Sequence, residues 1–223
     1  GSILIPMLLV AGFALKEAVA ISIMQMVFSS IYGSFLNSKK IKGLFRDGII
    51  LGVGASVGGL FSGYFLPSIP DIYLQYLFIA VLIYTIYTLF KAPASQEVIQ
   101  EDKNIFLLAF IGFCVGIFAM SIGIGGSLML LPILVQFLKY DLKVATALGL
   151  FFVIFSSIGG FISTSLYGNM LYYEGAIISI GSLIGVYFGI KIKEKTKSTS
   201  YKKFVLLLNL FVLATMIYKT VEF

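Results

Sequence analysis

The feature that most constrains this chain is its run of long apolar stretches. A helix that crosses a bilayer needs about 20 mostly apolar residues. Stretches of about that kind occupy residues 18–36, 44–66, 72–90, 105–120, 142–164, 171–190 and 204–218. Two shorter apolar pieces, residues 2–12 and 127–138, are too short to span untilted and read as half-helices. Only 12% of the residues are charged, against roughly 25% in a soluble domain. A disordered chain, a nucleic-acid-binding domain and an ordinary cytosolic enzyme are thereby excluded. The expected fold class is all-α, a polytopic transmembrane helical bundle.

Other absences narrow the chemistry. There is no His, and Cys114 is the single cysteine. His-based catalysis, a His-rich metal site and an intrachain disulfide are all ruled out. There is no Trp, so an aromatic belt would have to use the 13 Tyr. The net charge of +6 fits lysine-rich loops on one side of a membrane better than a nucleic-acid partner.

The chain repeats itself. FSSIYG at residues 28–33 returns as FSSIGG at 155–160, which is 127 residues later. The same offset pairs Ala18 with Ala145, Ala20 with Ala147, Gly48 with Gly175, Gly54 with Gly181 and Gly58 with Gly185. Asp47 pairs with Glu174 at equivalent helix starts. An offset one shorter pairs Pro6 with Pro132 and Gly1 with Ser127. Matches in one register at helix starts and turns indicate duplication. The expected organisation is a first repeat over residues 1–90, a polar linker over 91–103 and a second repeat over 104–223. The second repeat opens with a helix that runs into GIGGS at 123–127, and the first shows no such helix. One further N-terminal helix and its glycine loop are therefore expected ahead of Gly1.

Lysine placement suggests how the repeats are oriented. The loop 37–46 carries Lys39, Lys40, Lys42 and Arg46, and the loop 191–203 carries six lysines. Both are expected in the cytoplasm. Loops 67–71 and 165–170 lack Lys and Arg and are expected outside, although 37–46 and 165–170 are equivalent in the two repeats. Equivalent loops on opposite sides mean inverted topology. It closes only if residues 105–138 enter and leave on the cytoplasmic side, as a hairpin turning at GIGGS. All basic residues except Lys16 and Lys219 then lie inside. Inverted repeats that meet at glycine-broken helices are a transporter architecture, with the substrate at the breaks.

The candidate site follows. Gly125, Gly126 and Ser127 would form one break, and Gly1 and Ser2 its partner, with helix N-termini that favour an anion. Gln25, Ser29, Ser30, Ser156 and Ser157 are candidate side-chain donors, though serines in such helices also bond their own backbone. Pro6, Gly123 and Pro132 are candidate hinges. The pairs Gly54/Gly58, Gly112/Gly116 and Gly181/Gly185 are expected to pack helices. Leu128 stands where the last glycine of a dinucleotide fingerprint belongs and no Lys follows, so the glycine run is neither that motif nor a P-loop. No acidic or basic residue lies mid-span, so no catalytic residue, metal or cofactor is expected.

GIGGSLMLLP at residues 123–132, followed by Ala145-Thr146-Ala147, resembles the glycine-rich and Ala-Thr patterns of the sulfite exporter TauE/SafE family. Residues 1–6, GSILIP, with Ala18-Val19-Ala20, look like that family's first copy. Ser127 stands where a third glycine is common, and Gly149 where a serine often occurs. The resemblance implies a non-enzymatic, multi-pass protein of the bacterial inner membrane. Its cargo would be small sulfur-containing anions: sulfite, thiosulfate, sulfoacetate or other organosulfonates. Its expected partners are the small anionic substrate and the lipid bilayer, with no nucleic acid; a homo-oligomer is left open. An anion channel, or a carrier of another small organic anion, is the alternative.

Overall fold

The computed structural model describes residues 1–37, 45–91, 104–140, 142–167, 170–195 and 198–222, and among them it is helical with no strand. The helices are α1 (Leu4–Val10), α2 (Leu15–Asn37), α3 (Phe45–Phe65), α4 (Asp71–Lys91) and α5 (Ile105–Ser121), followed by α6 (Ser127–Pro132), α7 (Leu142–Tyr167), α8 (Tyr172–Lys195) and α9 (Ser198–Glu222). α6 continues into a wider turn over Ile133–Phe137. α2, α3, α4, α7 and α8 contain segments long and apolar enough to cross a membrane; α5, Ser127–Phe137 and Phe204–Thr220 are shorter apolar helices. Helices apolar around most of their circumference belong in lipid or a large core. The protein is accordingly a multi-pass membrane protein.

Helix starts follow local rules. The Glu17 carboxylate accepts a 2.9 Å bond from the Ala14 N–H ahead of α2, the return half of a capping box. The Asn104 side chain accepts from the Phe106 N–H at 3.0 Å and caps α5. Asp47, Asp71 and Glu174 lie in the first turns of α3, α4 and α8, where a carboxylate complements the helix dipole.

One expectation changes. Residues 191–203 read as a loop, but α8 runs through Lys195 and α9 begins at Ser198. Lysine is a good helix former, so a lysine-rich segment can leave the membrane and remain helical. Lys39, Lys40 and Lys42, the linker 92–103 and the Gly168-Asn169 turn lie outside the described residues.

The element starts keep the 127-residue register of the sequence matches. α7, α8 and α9 each begin 127 residues after α2, α3 and α4. Packing repeats under the same exchange. Gly48 of α3 meets Phe151 of α7, and its equivalent Gly175 of α8 meets Met24 of α2, the residue equivalent to Phe151. The pairs α1 with α2 and α6 with α7 correspond, as do α1 with α9 and α6 with α4.

α3 lies between α5 and α7. Its backbone is pressed against α5, with Gly54 at the Ala109 carbonyl, Gly58 at the Phe113 carbonyl and Gly112 of α5 at the Leu51 carbonyl. Small residues let membrane helices approach this closely. On the α7 side, a Cβ at Gly59 would lie 2.5 Å from the Ser156 carbonyl oxygen. In both interfaces the numbers rise together, so α3, α5 and α7 run parallel. α5 and α7 thus start at the same end of the bundle, and the chain between them turns back at residues 122–126.

Candidate functional site

The turn after α5 is built from glycine because its backbone requires it. Gly123, Gly125 and Gly126 have φ of +64°, +87° and +69°, a region other residues enter at a cost. The Gly126 carbonyl accepts from the Leu130 N–H at 2.8 Å, and the Gly125 carbonyl from the Ser127 N–H at 2.9 Å. Residues 123–126 are all buried.

Three elements close around this turn. A Cβ added at Gly125 would sit 2.6 Å from the Met26 sulfur on one side and 3.8 Å from Val153 on the other. Met26 and Val153 are equivalent positions of α2 and α7, each about half-way along its helix. Gly126 lies against the Phe152 ring. Gly123 packs on Ile5 of α1 and Val19 of α2. Gly1 rests on the Gly123 carbonyl, so the start of the first repeat and the break of the second meet in the interior.

Ser22 joins them. Its hydroxyl donates to the Gly123 carbonyl at 2.9 Å, and the residue is 0% exposed. A Cβ at Gly1 would also lie 2.9 Å from that hydroxyl. The equivalent of Ser22 is Gly149, where an added Cβ would lie 3.5 Å from the Ser127 Cβ. Each break therefore faces α2 or α7 through one serine and one glycine, with the two types exchanged. Ser22 was not singled out from the sequence. Its signal was its register with Gly149, a place where serine is common in the resembling pattern.

The other candidate residues are placed as follows. Ser2 is partly buried beside Gly1, and Ser127 is partly buried at the start of α6. Gln25 is partly buried on α2, at the position equivalent to Phe152. The Ser29, Ser30, Ser156 and Ser157 hydroxyls donate to carbonyls of their own helices, those of Met26, Val27, Val153 and Ile154. Ser156 also lies at the α3–α7 crossing, against Gly59. The structure thus brings Gly1, Gly123, Gly125, Gly126 and Ser127 into one region and directs the four paired-serine hydroxyls along α2 and α7.

Pro6 is buried in the first turn of α1, where its missing N–H costs little. Pro132 ends α6, and the helix widens directly after it. Among the described residues no group of His, Cys, Asp and Glu could hold a metal ion. Two concavities, one lined by Ala80, Val81, Tyr84, Met129 and Ile133 and one lined mainly by residues of α4 and α5, are almost wholly apolar.

At one end of the bundle, the Tyr140 hydroxyl donates to Asp47 Oδ2 at 2.6 Å. Burial, then this hydrogen bond and the Asp47 charge, hold the phenol well above its ordinary value. At α2's start, Lys16 pairs with Asp71 at 3.5 Å.

Comparison with known proteins adds two findings. The profile of the family described as sulfite exporter TauE/SafE matches residues 1–216. A Methanocaldococcus jannaschii protein named as a probable membrane transporter is 30% identical over 168 residues, 74% of this chain and 61% of that protein. The chain spans about three fifths of that relative's length. No solved structure matches it.

Proposed function

The chain belongs to the sulfite exporter TauE/SafE family, and from that premise we propose that it moves small sulfur-containing anions across a membrane by alternating access. Sulfite, thiosulfate, sulfoacetate and other organosulfonates are the substrate class. The membrane is the cell's inner, or plasma, membrane.

The observation that carries the proposal is the meeting of the two repeats at the glycine turn. Gly1 rests on Gly123, and Gly125 sits between Met26 and Val153 at mid-length of α2 and α7. Transporters built from inverted repeats bind at such breaks near the midplane. Irregular backbone at membrane depth is tolerated where protein buries it or where it lines a cavity. The parallel run of α3 with α7, and of α8 with α2, supports the inverted relation.

An anion at this point would be held by neutral groups. The backbone amides of Gly125, Gly126 and Ser2 are the main donors, with the Ser127 hydroxyl beside them. With no fixed cation there, binding stays weak enough to reverse. Gln25 on α2 contributes its side-chain amide, and Ser22 and the paired serines Ser29, Ser30, Ser156 and Ser157 contribute when α2 and α7 move, since the serine hydroxyls are otherwise bonded to carbonyls. Residues 123–126 are closed off in this structure, so entry requires Pro6, Gly123 and Pro132 to flex.

The test is flux in proteoliposomes at two pH gradients, with sulfite, thiosulfate and sulfoacetate against chloride and sulfate. Selective, saturable uptake that an internal pool of the same anion accelerates is the expected result. Flux without counterflow acceleration would replace the carrier with a channel. No sulfur-anion flux, in vesicles that pass a positive control, would remove the substrate assignment.

A further inference from the structure

Tyr140 follows the half-helix that leaves the glycine turn, and its hydroxyl donates to Asp47 of α3 at 2.6 Å. The bond ties the far end of α6 to a helix from the other half of the chain. The backbone identifies its counterpart. The Tyr140 N–H reaches back to the Leu134 carbonyl at 2.9 Å, and the Phe13 N–H to the Leu8 carbonyl at 3.1 Å. Leu134 and Leu8 stand 126 residues apart, as Pro132 and Pro6 do; Tyr140 and Phe13 stand 127 apart, as the matches between α2 and α7 do. The wide turn over Ile133–Phe137 takes up the extra residue. A positive φ precedes each aromatic, +56° at Lys139 and +95° at Gly12. The same register takes Asp47 to Glu174. Tyr140 and Asp47 are therefore matched by Phe13 and Glu174: the carboxylate is kept and the hydroxyl is not.

The two carboxylates lie at opposite ends of the bundle. Asp47 is in the first turn of α3. α7 ends beside the end of α3, where a Cβ at Gly63 would meet Ser163, and α8 begins directly after α7 with Glu174 in its first turn. The Glu174 end has the Lys16–Asp71 pair, whose side chains are 37% and 43% exposed. An ion pair so exposed contributes little, whereas a part-buried hydrogen bond to a carboxylate is among the stronger kinds.

We propose that the Tyr140 hydroxyl is a one-sided latch, which holds the Asp47 end closed and so makes the Glu174 end the one from which the empty transporter takes up its anion. The inference rests on alternating access, in which the glycine turn opens toward each end in turn, and not on the sulfur chemistry of the cargo. Opening toward the Asp47 end carries the end of α6 away from α3 and breaks the bond. Opening toward the Glu174 end breaks no such bond, because Phe13 has no hydroxyl to give. One hydrogen bond to a charged group biases an equilibrium of this kind by about tenfold.

The experiment follows access to the glycine turn with a cysteine reporter, Ser127→Cys, in a chain whose own thiol is removed by Cys114→Ser. The protein is reconstituted in sealed vesicles, and a membrane-impermeant maleimide is added from one face at a time. Labelling is expected to be faster from the Glu174 face than from the Asp47 face. Tyr140→Phe raises the rate from the Asp47 face several-fold and does not raise the other. Phe13→Tyr, which supplies a hydroxyl to Glu174, slows labelling from the Glu174 face, and the two changes together reverse the ranking of the faces. A Tyr140→Phe variant that labels faster from both faces alike would make the bond a general brace and overturn the latch. Labelling from both faces that Tyr140→Phe leaves unchanged would overturn the latch and leave alternating access standing. A reporter that labels from neither face, yet fully after denaturation, would overturn alternating access and the latch with it.

Discussion

The hydroxyl of Ser22 and the carbonyl of Gly123 are joined by a 2.9 Å hydrogen bond that reaches across 101 residues of sequence and is sealed from solvent. It ties α2 to the turn after α5, and so ties one repeat to the other. Ser22→Ala leaves the carbonyl buried without that partner. A buried acceptor left unpaired costs about 1–3 kcal/mol. The expected outcome is a lower melting temperature together with weaker sulfur-anion binding. Ser22→Thr restores the hydroxyl but adds a methyl beside Gly1, so it recovers stability only in part. A melting temperature unmoved by Ser22→Ala would remove this bond from the list of contacts that hold the repeats together.

Gly126 is the strictest position of the turn. Its φ is +69°, and any side chain would meet the Phe152 ring. A left-handed conformation costs a non-glycine residue roughly 1–2 kcal/mol, and displacing a buried ring adds to that. Gly126→Ala is expected to lower the melting temperature more than Gly149→Ala, whose added Cβ would find ordinary contact at 3.5 Å. Thermal unfolding of the two variants side by side checks this; equal losses would mean that the turn tolerates side chains.

Much of this architecture is legible in the sequence. The spans and the two half-helices stand out because the bilayer demands uniform apolarity over a fixed length. The register that Pro6 shares with Pro132, and Gly58 with Gly185, is conspicuous in the sequence, and the helix starts follow it. The segment 191–203 misled because lysine density marks a side of the membrane and says nothing against a helix. Ser22 was hidden because a serine within AVAIS looks like any small packing residue. Only the approach of residues 101 apart gives it a partner. The serine pairs were conspicuous for their repetition, yet repetition reports duplication, and the hydroxyls themselves bond to carbonyls three residues back.

Those serine pairs give a separating test. Ser156 and Ser157 are fully buried, with hydroxyls bonded within α7. Ser127 is partly exposed at the start of α6. The Ser156→Ala, Ser157→Ala double variant is expected to keep saturable flux within about twofold, since losing a helix-internal bond changes stability by about 1 kcal/mol or less. Ser127→Ala is expected to raise the half-saturating concentration. Initial-rate uptake over a range of sulfite concentrations reads both. The opposite ranking would move the site up α2 and α7, toward the serine pairs.

Tyr140 gives the pH dependence. Burial, then the Asp47 hydrogen bond and charge, raise its phenol above the ordinary value of 10 in the folded protein. A group raised on folding favours the protonated native state. Its contribution is therefore complete below pH 10 and declines as pH climbs through the folded value. Tyr140→Phe should be less stable at neutral pH, because Asp47 loses its donor, and should lose less between pH 9 and 11 than the parent. Melting temperatures over that range, at fixed ionic strength, decide it. Parallel alkaline losses in the two proteins would assign the decline to other groups.

Pro132 connects this end of the bundle to the glycine turn. It has no N–H to give to the carbonyl four residues back, and its ring crowds that carbonyl. The helix answers by widening over Ile133–Phe137, and the Leu138 N–H reaches back five residues to the Ile133 carbonyl at 3.1 Å. Wide turns of this kind hold one more residue than a regular turn and recur at functional positions. Pro132→Ala allows the regular pattern to resume, which would rotate residues beyond it by about one residue, or 100°. Tyr140 would then turn away from Asp47. The expected outcome is a lower transport rate with little change in equilibrium binding of sulfite, and a loss of the alkaline response assigned to Tyr140. Rates from counterflow and binding from calorimetry separate the two effects. A rate equal to the parent's, with the alkaline response intact, would show that the wide turn survives without its proline and that Pro132 is not a hinge.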